Sequence, residues 1–82
     1  MKIETLATIF EMFFPGIAYQ VTVDKFDTLL TAIENNYKYI VEYDQEENHL
    51  QVWAINLNER FSIKSIIEGS PEDIINLSKL LQ

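Results

Sequence analysis

The stretch Tyr37–Leu57, YKYIVEYDQEENHLQVWAINL, constrains this chain more than any other. Tyr37, Tyr39, Val41 and Tyr43 alternate with Lys38, Ile40, Glu42 and Asp44. That is the two-residue period of a half-buried strand, built from aromatic and β-branched residues that suit a pleated surface. A second alternating run begins at His49. A turn centred on Glu46-Glu47 pairs Tyr43 with Leu50, Val41 with Val52 and Tyr39 with Ala54, so one face is apolar throughout, as register selection requires. A three-residue loop would set Asp44 against Leu50 and mix the faces.

The same register sets Lys38 opposite Ile55, Ile40 opposite Trp53, Glu42 opposite Gln51 and Asp44 opposite His49. This second face is polar at the turn end and apolar at the open end. Two arrangements compete for it. Either a helix covers the open end, or Ile40, Trp53 and Ile55 form an exposed apolar patch of the kind that marks interaction sites.

The flanks supply helices for the sheet. Ile3, Leu6, Ala7, Phe10, Phe13 and Phe14 recur at helical spacing and stop at Pro15-Gly16. This first helix is either deeply buried or partly an interface. Ile17 to Val23 alternates as a strand. Asp24 is a candidate N-cap, and Phe26, Leu29, Leu30 and Ile33 then give the i, i+3, i+4, i+7 spacing of a second helix ending at Asn35-Asn36. Strand, helix and strand suggest a βαβ crossover if the strands are parallel. After a turn at Asn58-Glu59, Phe61 to Ile67 favours a third meander strand, with a short helix as the alternative. Ser70 caps a last helix with Pro71 at its first position and acids in its first turn. Ile74, Leu77 and Leu81 are its sheet-facing residues.

The expected fold is α+β, one domain over residues 1–82, in the order α-β-α-β-β-(β)-α with a central antiparallel hairpin and helices packed on the sheet. Tyr39, Val41, Val52, Leu29, Ile33, Phe10 and Leu77 form its expected core. With 82 residues the chain buries only roughly 60–65% of its unfolded surface. Its 48% apolar content still separates it from disordered acidic tails.

Several chemistries lack their residues. Without cysteine there is no disulfide, thiolate ligand or thiol nucleophile. A hydrolase triad needs a base oriented by a third group, and the single histidine, His49, falls at a hairpin tip. Zinc sites need several His or Cys ligands. Asp44, Glu46 and Asn48 have EF-hand-like spacing, but the sixth position would be His49 rather than Gly and the twelfth Ile55 rather than Glu. Glycine only at 16 and 69 leaves no phosphate loop. No cofactor, metal or catalytic activity is expected. Glu4 cancels Lys2 in the would-be basic region and Glu11 interrupts the apolar run, which disfavours a signal peptide, and no apolar stretch approaches the ~20 residues of a membrane span. A cytoplasmic location is the expectation.

The formal charge is −7. From Phe26 to Glu59 one base, Lys38, stands against seven acids. Direct nucleic-acid binding, which relies on Lys and Arg at phosphates, is disfavoured, as is docking on anionic membranes. Solubility alone explains such a charge, and so does a basic partner protein. In size, acidity and want of catalytic residues, the chain resembles viral inhibitors that occupy the nucleic-acid groove of a host enzyme. It equally resembles acidic immunity proteins that neutralise nuclease toxins. The resemblance is one of composition, carries no motif and transfers no residue roles. The function expected is a non-catalytic inhibitor, a nucleic-acid mimic that binds a basic surface through Glu42, Asp44, Glu46, Glu47 and His49, with Ile40 and Trp53 as apolar anchors. The alternative is a structural or regulatory domain that homodimerises through the first helix or the Trp53 face. Monomer or weak homodimer is the expected state.

Overall fold

The computed structural model describes residues 2–58 and 62–80, with backbone alone at 62–66 and 78. Seven elements follow in order: α1 (Ile3–Phe13), β1 (Gln20–Val23), β2 (Asp27–Glu34), β3 (Tyr37–Asp44), β4 (His49–Asn56), β5 (Ser62–Gly69) and α2 (Pro71–Leu80). The strands form one antiparallel meander in chain order. The α+β class holds, and the β3–β4 hairpin has the expected pairing from Tyr43–Leu50 to Lys38–Ile55 about a four-residue turn.

The expected helix over 26–33 is instead β2, and no parallel crossover exists among the described residues. Leu29 and Leu30 are adjacent, so Phe26, Leu29, Leu30 and Ile33 fit helical spacing. They fit equally a strand with apolar residues on both faces, an ambiguity inherent to short apolar runs. The turn decides. Asn35 and Asn36 both have positive φ, 52° and 67°. Two consecutive left-handed residues are what a two-residue hairpin of the I′ kind demands, and Asn tolerates them. Glu34 therefore pairs with Tyr37 directly across that loop. Asp24 closes a turn rather than capping a helix: its N–H donates to the Asp27 carbonyl at 2.8 Å, and its Oδ1 accepts from the Lys25 N–H at 2.7 Å.

The first expected strand begins later than its alternation suggested. Residues 17–19 are irregular and follow Gly16, whose φ of 76° turns the chain out of α1. Residues 62–69 form the meander strand, while Glu59, Phe61 and Leu81 lie outside the described residues.

One row crosses the whole sheet: Val21, Leu30, Val41, Val52 and Ile67. Both helices pack on this side. Leu6, Ile9 and Phe10 of α1 and Ile74 of α2 join Leu30, Ala32, Val41, Tyr43, Leu50 and Val52 in a single core cluster. Each Val, Leu, Ile or Phe side chain among them contributes ~1.5–3 kcal/mol when fully buried. An aromatic group continues the core beneath the end of α1. Phe10 packs edge-on against Phe14 at 5.1 Å between ring centroids, and Phe14 lies 4.7 Å from Tyr39. At the other helix, Ser70 Oγ accepts from the Asp73 N–H at 3.3 Å and Ser70 O from the Ile74 N–H at 3.1 Å, so the expected cap is present.

Of the expected core, Tyr39 is half-buried against the cluster, and three residues are placed differently. Ile33 is 69% exposed and Leu29 half-buried because, in a strand, both point to the side opposite the helices. Leu77 is 40% exposed, since α2 buries Ile74 and half-buries Ile75 instead.

Candidate interaction face

The register that builds the core also builds its reverse. Even positions of β3 and odd positions of β4 point away from both helices, joined by odd positions of β2. Four rows result: Asp27–Asp44–His49, Leu29–Glu42–Gln51–Glu68, Thr31–Ile40–Trp53, and Ile33–Lys38–Ile55. As the sequence suggested, the face is polar towards the β3–β4 turn and apolar towards the other end. The covering helix is not there: among the described residues, both helices contact the opposite side.

Ile40 shows what an uncovered face can still bury. It is 3% exposed yet absent from the helix-side cluster. Its cross-strand partners are Thr31 and Trp53, so the sheet's own side chains enclose it. Trp53 and Ile55 are half-buried. Trp53 Nε1 is fully buried and, among the described residues, has no hydrogen-bond partner.

At the polar end, Asp27, Glu42, Asp44, His49 and Gln51 line a shallow cavity of about 180 Å³. Glu68 borders it: its Oε2 accepts from Gln51 Nε2 at 3.3 Å and lies 3.8 Å from His49 Nε2, an ion pair when the imidazole is protonated. The turn beyond is held by its own side chains. Asp44 Oδ1 accepts from the Glu46 and Glu47 N–H groups at 2.9 and 3.4 Å, and the Tyr43 hydroxyl donates to Asn48 Oδ1 at 2.8 Å. Asn48 takes a positive φ of 48° to complete it. Glu46 and Glu47 are left exposed at the tip.

Comparison with protein-family models, curated proteins and solved structures finds no match. A role for the chain therefore rests on its own surface chemistry.

The structure brings Ile40, Glu42, Asp44, His49 and Trp53 onto one face, with Glu46 and Glu47 just beyond its polar end. It adds Asp27 and Leu29, which the helical expectation for β2 had hidden. Their signal was the alternation of Thr28, Leu30 and Ala32 with Leu29, Thr31 and Ile33, ending at Asn-Asn. Asp44 also has a second role, since its carboxylate organises the turn. Among the described residues, no group of three or more acids and histidines is arranged to hold a metal ion. None of the described helices is long and apolar enough to cross a membrane.

Proposed function

We propose that this chain is a protein-interaction module whose helix-free sheet face docks on a basic, nucleic-acid-binding surface of a partner protein and blocks it. One juxtaposition carries the proposal: Asp27, Glu42 and Asp44 lie beside the half-buried Trp53 and Ile55 on one sheet face that neither described helix covers. A nucleic-acid groove lined with Lys and Arg focuses positive potential, and carboxylates fixed on a sheet can take the place of phosphates within it. Charge steers the encounter, while an aromatic anchor desolvated on contact supplies a large part of the binding energy. Lys38 lies at the apolar end of this face, two rows from Glu42.

Capture from lysate on the immobilised chain, followed by elution with duplex DNA, tests this. A captured nucleic-acid-binding protein that saturating DNA displaces supports competition for one groove. A captured protein that stays bound while it also binds DNA would overturn it.

A further inference from the structure

The sheet has two edges, and they are built differently. At β5 the sequence places Lys64 mid-strand, and the pairing with β4 is broken by a register shift at Ala54/Ile55. Charged residues and bulges are standard means of keeping an edge from pairing with another chain. The β1 edge, Gln20-Val21-Thr22-Val23, has neither, and all four residues are exposed.

The direction of its free groups follows from one bond. Because the Asp24 N–H reaches the Asp27 carbonyl, alternation along an antiparallel ladder turns the backbone groups of Gln20 and Thr22 towards β2. Those of Val21 and Val23 point outward. The side chains of this odd series are apolar and exposed too, with Tyr19 at 36%, Val21 at 41% and Val23 at 64%. Val21 is the outermost member of the cross-sheet core row, and no further strand covers it among the described residues. Free hydrogen-bonding groups and an uncovered apolar row thus coincide on one edge.

Charge selects the occupant. Met12 through Val23 is the longest run in the chain without a charged residue. Two copies of a chain with formal charge −7 repel one another over most of their surface. They meet with least repulsion at this edge, and nothing there would attract a strongly basic partner.

We infer that β1 pairs with β1 of a second copy, antiparallel about a two-fold axis at Val21, to give a continuous ten-stranded sheet. In this register Val21 meets its own copy, Tyr19 meets Val23 of the second copy and Gln20 meets its Thr22. No like charges oppose one another. An aromatic residue opposite a β-branched one is a favourable cross-strand pair. The axis is perpendicular to the sheet, so all helices lie on one side and both acidic faces on the other. A partner with two basic sites would then be held bivalently. The four-residue strand limits the contact area, so the dimer is weak and concentration-dependent.

Sedimentation of the full chain over a wide concentration range, with amide hydrogen exchange at both ends of that range, tests the inference. The mass should rise from 9.6 kDa towards twice that value. The Val21 and Val23 amides should gain protection with concentration, while those of Gln20 and Thr22 are protected throughout. Val23→Lys should abolish the dimer without altering circular dichroism. Val21→Pro should do the same, because a proline is tolerated where the N–H faces outward. If Val21→Pro unfolds, Val23→Lys and wild-type exchange still decide. A wild-type chain that stays at 9.6 kDa at its highest concentration overturns the inference. So does a dimer that survives Val23→Lys, or concentration-dependent protection confined to the Trp53 face. Failure here leaves the acidic-face proposal untouched, since charge changes at Glu46 and Glu47 should not move the mass.

Discussion

Asp27 on β2 and Asp44 on β3 stand directly opposite one another, with Glu42 two residues along β3 on the same face. Like charges in this position destabilise a sheet by ~0.2–1 kcal/mol. Asp27→Asn removes one charge at nearly constant shape, so it should raise the melting temperature by about 1–8 °C in a domain of this size. If the face serves binding, the same change should weaken partner capture, the usual opposition between stability and function. A melting temperature that falls would show that Asp27 holds a favourable contact rather than a repulsive one.

Asn36 offers a sharper test of the β2–β3 turn. Its φ of 67° is one glycine adopts freely, and Asn-Gly is the preferred pair for this loop. Asn36→Gly should therefore be neutral or slightly stabilising in thermal melts. Asn36→Val forces a β-branched residue into the left-handed region and should cost ~1–2 kcal/mol. Equal melting of the two variants would contradict a left-handed conformation there.

The β3–β4 hairpin was legible because every alternate residue from Tyr37 to Tyr43 agreed with its partner across the turn. The α2 start was legible because Ser70, Pro71 and two acids gave the same signal. β2 was not, for a physical reason: Leu29-Leu30 satisfies both periods, and Asn-Asn can end a helix or turn a hairpin. A helix over 26–33 would not set Asp27 beside Asp44. The side under the helices was legible, because Val41 and Val52 share the apolar face of the hairpin register. Whether the reverse face is covered too was not, since Ile40, Trp53 and Ile55 suit either arrangement. Ile33 shows the cost of the helical reading of β2, with 69% exposure on the open face.

Trp53 separates an open face from a covered one. Truncating a fully buried tryptophan to alanine costs ~3–5 kcal/mol. Trp53 is only half-buried, so Trp53→Ala should cost roughly half that in urea unfolding and leave the circular dichroism spectrum intact. Trp53→Phe keeps an aromatic body and removes the buried Nε1–H donor that lacks a partner among the described residues. It should be neutral or stabilising, because an unmade buried hydrogen bond costs ~1–3 kcal/mol. A full core-sized loss for Trp53→Ala would mean that the face is covered after all.

The acids at the turn allow structure and recognition to be separated. Asp44 is the wrong residue to reverse, because its carboxylate accepts from two backbone N–H groups and holds the loop. Its replacement by alanine should lower stability by ~1 kcal/mol, about the worth of such a bond. Glu46 and Glu47 are exposed, and Glu42 is half-buried with its register partner Gln51 beside it. Exposed charges contribute ~0–1 kcal/mol to folding, so a variant carrying lysine at 46 and 47 alone should melt close to wild type. Its effect on binding should be much larger. If opposite charge steers the encounter, wild-type association slows steeply as salt rises, because the Debye length shrinks from ~10 Å at 0.1 M to ~3 Å at 1 M. The lysine variant should lose both the association and its salt dependence. Should it retain the captured partner with unchanged rates at every salt concentration, these acids serve solubility alone, and the half-buried Trp53 and Ile55 would be left as the binding surface.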